Sequence, residues 1–267
     1  MRPIQSRRAP VTGGRWLAAL LLLALVAGAC GADDEAGLTV FAAASLRSVV
    51  DELEAAWTAR YPDAPLTVST EASNVLAAQI TEGAPADVFI SADRERPRQL
   101  AAAGLTAATP VSFAVNRVTL VVPAGSDRLS APLDVARPGL RLVGVNEGAP
   151  IARYTEEAIA ALAATSPQPA AFLSAVGANL ASREDNVGAA LAKVALGEGD
   201  AAFVYRTDAL ASGAVDEVPL PAGAAIPASY EAVQISEAPL AAEFMAWLVG
   251  PEAMTIVEAA GFETVPS

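Results

Sequence analysis

Residues 38–61 read LTVFAAASLRSVVDELEAAWTARY, a short β-prone run followed by small residues and then by a helical pattern. Apolar residues recur every three or four positions from Leu46 to Trp57, the period of a helix with one buried face. Ser45 is typical of a helix N-cap, and Pro62 ends the pattern. The stretch therefore predicts a strand, a tight turn and a helix, the unit from which α/β folds are built.

The same alternation of β-prone runs and helical patterns continues along the chain. Further strands are predicted at 66–70, 87–90, 111–122, 140–145, 201–205 and 230–235. Further helices are predicted at 74–80, with Ser73 or Asn74 as its cap, and at 97–103, 150–164, 186–196, 207–211, 239–248 and 252–260. This order predicts an α/β fold with mainly parallel sheets flanked by helices. The late β-like run near Tyr230 predicts two lobes, 38–116 with 231–267 and 117–230, with a ligand in the cleft between them.

The first 29 residues are typical of an export signal. They hold four of the 17 basic residues and none of the 30 acidic ones, and they include an apolar run of 12 residues at 16–27. A membrane-spanning helix needs about 20 such residues, so we expect a removable signal. The remaining chain then carries 13 basic against 30 acidic residues, a net side-chain charge of −17.

The only cysteine, Cys30, closes this segment in the sequence Ala27-Gly28-Ala29-Cys30. The pattern resembles a bacterial lipoprotein cleavage box, in which the cysteine becomes the lipidated first residue, and ordinary cleavage after Ala29 is the alternative. Lipidation would also remove an odd free thiol from an exported protein. We therefore predict an exported protein that is lipid-anchored to the outer face of the cytoplasmic membrane or is periplasmic, with 30–37 as a short tether.

Composition narrows the possible functions. The 267 residues are 53% hydrophobic and 18% charged, enough for two lobes with a substantial core. The net charge of −13 argues against nucleic-acid binding, because a phosphate backbone requires clustered Lys and Arg. Histidine is absent, the sole cysteine lies in the signal, and a Ser–Lys mechanism would have to use Lys193, the only lysine. We therefore expect neither an enzyme nor a bound cofactor.

Four short segments each mark a predicted helix start, at 41–45, 71–74, 148–151 and 184–187. The first turn of a helix leaves backbone N–H groups unpaired and carries a partial positive charge. Several such starts facing one cleft would bind an oxyanion without a full positive charge. This is the binding chemistry that the residues indicate.

Four motifs occur in a family-specific order: Phe41-Ala-Ala-Ala-Ser45-Leu46, Leu76-Ala-Ala-Gln-Ile80, Gly83-Ala-Pro-Ala-Asp87-Val-Phe-Ile-Ser-Ala-Asp93 and Phe203-Val-Tyr205-Arg-Thr-Asp208. Through them, the chain from about residue 38 to 265 resembles the substrate-binding proteins of molybdate ABC transporters. The resemblance implies a two-lobed type II periplasmic-binding fold that closes on molybdate or tungstate. It also implies delivery to the permease subunits of an ABC importer by a monomeric receptor.

The resemblance further implies an oxyanion held by neutral donors alone, with no direct bond from the protein to the metal. Its ligand-binding positions match the hydroxyls of Ser45 and Ser73, the backbone N–H groups of Ile151 and Val187, and the hydroxyl of Tyr205. Asn74, next to Ser73, is the alternative for the second position. Because Glu71 would repel a dianion, we expect its carboxylate to point away from the ligand.

Other charged residues near these segments have structural interpretations. We expect Asp87 and Asp93 to cap helices and bond turns, because two carboxylates without histidine make a poor metal site. Arg47, Arg153 and Arg183 are predicted to be surface or lobe-contact charges. Asp208 is predicted to organise the turn after Tyr205.

Alternative functions remain open from sequence. Within the same fold, the ligand would be sulfate, phosphate or a small organic anion. Outside it, the alternatives are a secreted enzyme, which the missing catalytic residues disfavour, and an adhesive or structural surface protein.

Overall fold

The computed structural model describes residues 37–265. The predicted signal peptide, Cys30 and the predicted tether up to Ala36 lie outside the described residues. The strands are β1 (Leu38–Ala43), β2 (Leu66–Glu71), β3 (Val88–Ser91), β4 (Val111–Pro123), β5 (Leu142–Val145), β6 (Leu180–Glu184), β7 (Ala201–Tyr205), β8 (Val215–Val218), β9 (Pro227–Gln234) and β10 (Glu263–Thr264).

The helices alternate with these strands, as the sequence predicts. They are α1 (Arg47–Arg60), α2 (Ser73–Thr81), α3 (Glu95–Ala102), α4 (Pro150–Thr165), α5 (Pro169–Asn179), α6 (Val187–Ala195), α7 (Arg206–Ala211), α8 (Pro239–Leu248) and α9 (Pro251–Ala259). Two 3-10 turns, Ala44–Leu46 and Pro132–Ala136, complete the set of described helical segments.

The strands hydrogen-bond in the order β2-β1-β3-β9-β4-β7-β5-β6, with β8 and β10 also paired to β4. The strand β4 joins two groups. Its residues Val111–Arg117 pair with β9, whereas Val118–Val121 pair with β7 and Leu120–Pro123 pair with β8. The first strand group is therefore β1, β2, β3, β9, β10 and the start of β4, and the second is the end of β4 with β5, β6, β7 and β8.

The predicted α/β fold with helix-flanked sheets is confirmed, but the sheets are mixed instead of mainly parallel, since the described strands form four parallel and five antiparallel pairs. The pairs β1–β2 and β1–β3 are parallel in the first group, and β5–β6 and β5–β7 are parallel in the second. Antiparallel pairs occur where β4 and β9 take part, because these strands carry the chain from one group to the other and back. The carboxyl ends of the parallel strands lead into helix starts, which is where α/β folds place their ligands.

Two predicted helix caps are wrong. Ser45 lies inside the 3-10 turn before α1, and its Oγ forms no cap hydrogen bond. Ser73 is the first residue of α2, the cap position belongs to Ala72, and the Ser73 Oγ accepts a hydrogen bond from the Ala92 N–H. In both cases the hydroxyl forms a hydrogen bond with a residue distant in sequence. The predicted start of α6 is confirmed, since the Asn186 Oδ1 accepts the Ala189 N–H.

Aromatic packing fixes α1 against the C-terminal helices. Trp57 is fully buried and lies with its ring centroid 5.1 Å from that of Phe244 and 5.5 Å from that of Trp247. Within residues 37–265 no single helix is long and apolar enough to cross a membrane; α8 and α9 pass that test only as a pair bent by 54°. Both helices bury residues in the core, including Phe244 of α8 and Val257 of α9.

Candidate oxyanion site

The five residues predicted to bind a ligand line one cavity of about 20 Å³. They come from five separate segments of both strand groups: Ser45, Ser73, Ile151, Val187 and Tyr205. Most of the remaining wall is alanine, with Pro150 and Asn186. A volume of this size holds about one water molecule, so the walls must move apart to admit a tetrahedral oxyanion.

Two serines of the first strand group stand at the cavity with their oxygens already positioned. The Ser45 Oγ lies 2.6 Å from the Tyr230 hydroxyl, and the Ser73 Oγ accepts the Ala92 N–H at 3.1 Å. Both serines are buried. Because the Ser73 oxygen is an acceptor in this contact, its own hydrogen remains to donate towards the cavity.

The second strand group contributes the starts of α4 and α6. Pro150 is the first residue of α4 and has no N–H, so Ile151 supplies the first N–H group of that helix. In α6 the Asn186 side chain accepts the Ala189 N–H, which leaves the earlier N–H groups, beginning with Val187, without an intrahelical partner. Both helix starts therefore direct backbone donors and partial positive charge at the cavity.

The tight turn before α4 requires a glycine. Gly148 has a φ of +96°, a conformation that side chains with a Cβ rarely adopt. Its carbonyl oxygen accepts a hydrogen bond from the Arg96 Nη2 at 2.9 Å, which ties the turn to α3 of the first strand group. The Ile151 N–H is thus held by a turn anchored on the opposite wall.

Tyr205 ends β7 with its ring between two other tyrosines. Its centroid lies 6.4 Å from that of Tyr154 and 5.9 Å from that of Tyr230, both edge to face. Burial, with smaller contributions from neighbouring tyrosines and carboxylates, raises the pKa of the Tyr205 hydroxyl well above its usual range, so the group stays a donor. Among the described residues this buried hydroxyl meets no hydrogen-bond partner, an arrangement that is costly unless a ligand accepts from it.

Asp208 organises the turn behind Tyr205, as predicted. Its Oδ2 accepts the Tyr205 N–H at 3.2 Å. Burial raises the pKa of Asp208 to about 8, against the opposing effects of the Tyr205 N–H and the Arg47 charge. The carboxyl is therefore largely protonated near neutral pH and adds little negative charge beside an anion.

Glu71 does not line the cavity. Its Oε1 accepts the Asn186 Nδ2 at 2.6 Å and the Ala72 N–H at 2.8 Å. The carboxylate therefore bonds to the segment before α6, and its orientation relative to a bound anion stays a prediction.

The three arginines that were predicted to be surface or lobe-contact charges do not line the cavity. Arg47 donates to the Thr70 hydroxyl, Arg153 to Glu157, and Arg183 to the Val145 carbonyl. In the part of the chain that the structure describes, the cavity wall contains no charged side chain. An anion here would be held by neutral donors.

The carboxylates Asp87 and Asp93 have structural partners. The two Asp87 oxygens accept from the Thr39 N–H and the Ser236 hydroxyl, and the Asp93 Oδ1 accepts the Arg96 N–H at the start of α3. Over residues 37–265 no group of three or more His, Cys, Asp and Glu could hold a metal ion.

Two contributors were not predicted as site residues. Tyr230 reaches the Ser45 hydroxyl from a strand 185 positions away, and Asn186 lines the cavity and caps α6. Asn186 lies within the predicted helix start at 184–187, so the sequence indicated its position. Tyr230 had no such signal, because its role depends on β9 pairing with β3 in the strand order β1-β3-β9.

Comparisons with known proteins show the family to which the chain belongs. The profile described as bacterial extracellular solute-binding protein matches residues 38–263. The molybdate-binding protein of Mycobacterium tuberculosis strain H37Rv is 31% identical over 269 residues, covering 93% of this chain and 98% of that one.

Solved structures share the fold. The periplasmic molybdate-binding protein of Azotobacter vinelandii superposes with a TM-score of 0.74 at 24% identity, covering 86% of this chain and 100% of the other. A sulfate-binding protein of Mycobacterium tuberculosis superposes with a TM-score of 0.72 at 19% identity, covering 86% and 87% of the two chains. At these identities the two structures support the fold, and they bind different oxyanions.

Proposed function

Because the chain belongs to the bacterial extracellular solute-binding proteins and, within them, to the molybdate-binding proteins, we propose that it is an extracytoplasmic receptor for molybdate and tungstate. The receptor delivers its ligand to the permease subunits of an ABC importer. The observation that carries this proposal is the convergence of five neutral donor positions on one cavity, one of them the buried, unpartnered hydroxyl of Tyr205.

Neutral donors suit a receptor that must bind and then release. A hydrogen bond to a charged acceptor contributes about 1.5–3 kcal/mol, so several together support tight binding after the cost of association. A donor-rich site selects a fully deprotonated oxyanion. Phosphate carries a proton near neutral pH, and that proton would lack an acceptor in such a site. Sulfate has the charge and shape of molybdate but is smaller, so pocket size separates the two.

Lobe movement is part of the proposal. We place the lobes at 38–116 with 231–267 and at 117–230. The change of partner along β4 after Arg117 supports the first crossing, while the pairing of β9 with the start of β4 favours a return crossing slightly earlier, before Pro227. Opening about these crossings would admit the anion, and closing would bring the five donor positions together.

The cellular setting follows from the sequence beyond the described residues. We propose that residues 1–29 are an export signal and that Cys30 is the lipidated first residue of the mature protein. The receptor would then act as a monomer, tethered through residues 30–37 to the outer face of the cytoplasmic membrane. Delivery of its ligand is a binding function, so we propose no enzymatic activity.

The test is a ligand panel on residues 31–267 with molybdate, tungstate, sulfate, phosphate and nitrate, measured by thermal shift and calorimetry. A ligand at about 100 times its Kd adds about 2.7 kcal/mol of stability. We expect stabilisation by molybdate and tungstate alone. Stabilisation by sulfate or phosphate would mean that the receptor binds a different oxyanion from the one proposed. No response to any anion would contradict the receptor function.

A further inference from the structure

We propose that Glu71 and Asn186 form a closure bond, a side-chain hydrogen bond that joins the two lobes beside the cavity and slows release of the bound anion. The inference rests on the proposed receptor function and adds a positioning pair to its site. Neither side chain was expected to take part in binding.

The bond connects opposite walls of the cleft. Glu71 is the last residue of β2 in the first strand group, and Asn186 precedes α6 in the second. They are 115 positions apart in sequence, and the Asn186 Nδ2 donates to the Glu71 Oε1 at 2.6 Å. A short bond to an ionised acceptor is among the stronger hydrogen bonds that a protein makes.

Asn186 makes two contacts that respond differently to cleft opening. Its Oδ1 accepts the Ala189 N–H within α6, so this cap moves with the helix. Its Nδ2 reaches Glu71 on the other wall, so that contact breaks when the walls separate. Asn186 also lines the cavity, next to Val187. The closure bond therefore links the orientation of a donor helix to the closed state.

The charge of Glu71 and its hydrogen bond have opposite consequences. A carboxylate near a bound dianion is repulsive, and the donors from Asn186 and Ala72 offset part of that repulsion. Removing the charge alone should strengthen anion binding, whereas removing the acceptor oxygen should favour the open state of the cleft. Glutamine and alanine at position 71 separate the two effects, because both lack the charge and only glutamine retains the acceptor.

A second inter-lobe bond limits the size of the effect. The Arg96 Nη2 donates to the Gly148 carbonyl oxygen at 2.9 Å, between α3 and the turn before α4. Loss of the closure bond therefore weakens the closed state without abolishing it. We expect a change in release rate and not a loss of folding.

The experiment compares Glu71→Gln, Glu71→Ala, Asn186→Ser and the double variant Glu71→Ala with Asn186→Ser in the mature chain. Serine keeps an oxygen that caps α6 but is too short to reach Glu71. Glu82→Gln and Glu82→Ala are the matched controls, because Glu82 is exposed at the far end of α2. Molybdate release is measured by stopped flow.

Lobe closure is measured separately, in protein without anion. Spin labels are attached to cysteines introduced at Ala78 in α2 and Ala192 in α6, both exposed and on different strand groups. The chain after Cys30 has no other cysteine, so the labelled pair is unique. Distances between the labels then report the closed fraction whether or not molybdate is the ligand.

We expect Glu71→Ala to release molybdate at least about fivefold faster than Glu71→Gln, with a smaller closed fraction. Asn186→Ser should release it faster than the unsubstituted chain, and the double variant should be no faster than the faster single one. Equal release rates and equal label distances for Glu71→Ala and Glu71→Gln would overturn the closure bond. A release rate in the double variant that equals the product of the two single-variant effects would also overturn it, because the two side chains would then act independently. If the unsubstituted chain fails to bind molybdate and tungstate, the proposed ligand is wrong, and the label distances alone decide the closure bond.

Discussion

The Ser45 Oγ and the Tyr230 hydroxyl lie 2.6 Å apart and join the turn after β1 to the strand β9. Both side chains are buried. Burial, followed by the Asp208 charge, raises the pKa of Tyr230 well above its usual range, so its hydroxyl keeps a proton to donate. When Tyr230 donates to Ser45, the serine hydrogen is left for an anion in the cavity.

Tyr230→Phe should therefore weaken oxyanion binding by about three- to tenfold, the effect of one lost hydrogen bond. The phenylalanine ring keeps the packing, so the fold should persist, and calorimetry measures the change in Kd. Tyr61→Phe is the matched control, because Tyr61 lies on the aromatic cluster of α1 and does not line the cavity. Unchanged affinity in Tyr230→Phe would show that Ser45 is oriented without it.

Tyr205→Phe should lower affinity and leave stability unchanged or higher. The Tyr205 hydroxyl is buried without a partner among the described residues, and such a group costs about 1–3 kcal/mol of desolvation. A bound anion that accepts from it recovers this cost. We expect at least about tenfold weaker binding by calorimetry and an equal or higher urea midpoint without anion.

The contrast between the two measurements is the test. Tyr154→Phe, which alters the neighbouring ring without touching the cavity wall, is the control. A large loss of stability in anion-free Tyr205→Phe would mean that the hydroxyl supports the fold instead of the ligand.

Val187→Pro tests a backbone donor directly. Proline removes the N–H, and it is favoured at the first position of a helix, which Val187 occupies in α6. The preceding Asn186 has φ −149° and ψ 172°, an extended conformation that tolerates a following proline. We expect folding to be retained and anion affinity to fall about tenfold or more.

Val187→Ala is the matched control, because it shortens the same buried side chain but retains the N–H. Affinity measured by calorimetry should fall much more in Val187→Pro than in Val187→Ala. Equal losses in the two variants would assign the effect to packing and contradict a role for the N–H group.

Asp208 should make stability fall as pH rises. In the folded chain its pKa is about 8, whereas its ordinary value is 3.8. Between these values the folded state holds a proton that the unfolded state releases. Stability therefore declines with rising pH across this window, by up to about 1.4 kcal/mol per pH unit.

Asp208→Asn removes this titration and keeps an oxygen to accept the Tyr205 N–H. Urea unfolding of both proteins from pH 5 to pH 8 measures the difference. We expect the unsubstituted chain to lose stability relative to Asp208→Asn as the pH rises. Parallel pH profiles would show that the carboxyl ionises normally in the fold.

Most regular elements could be predicted because their signals are local. The recurrence of apolar residues every three or four positions located α1, and Pro150 marked the first turn of α4. The short strands β6 and β8 were missed because each has a mixed polar sequence, and they exist through pairing with β5 and β4. The helix α5, before β6, was not predicted either.

The cap assignments failed for a related reason. A serine before a helix has the same local signal whether its hydroxyl caps the helix or bonds elsewhere. Ser45 meets Tyr230 and Ser73 meets Ala92 only after the strands β1, β3 and β9 have come together. Contacts between residues far apart in sequence leave no local pattern.

By itself, the sequence determined the alternation of strands and helices, the four helix starts and the neutral, donor-rich character of the residues at them. Those properties depend on backbone hydrogen bonding and side-chain chemistry within a few residues. The tertiary structure decided that these starts converge on one cavity, that Tyr230 contacts Ser45, and that Glu71 forms a hydrogen bond with Asn186. Such relationships depend on which strands pair and how closely two walls approach, and a hydrogen bond forms only when its two atoms come within about 3 Å.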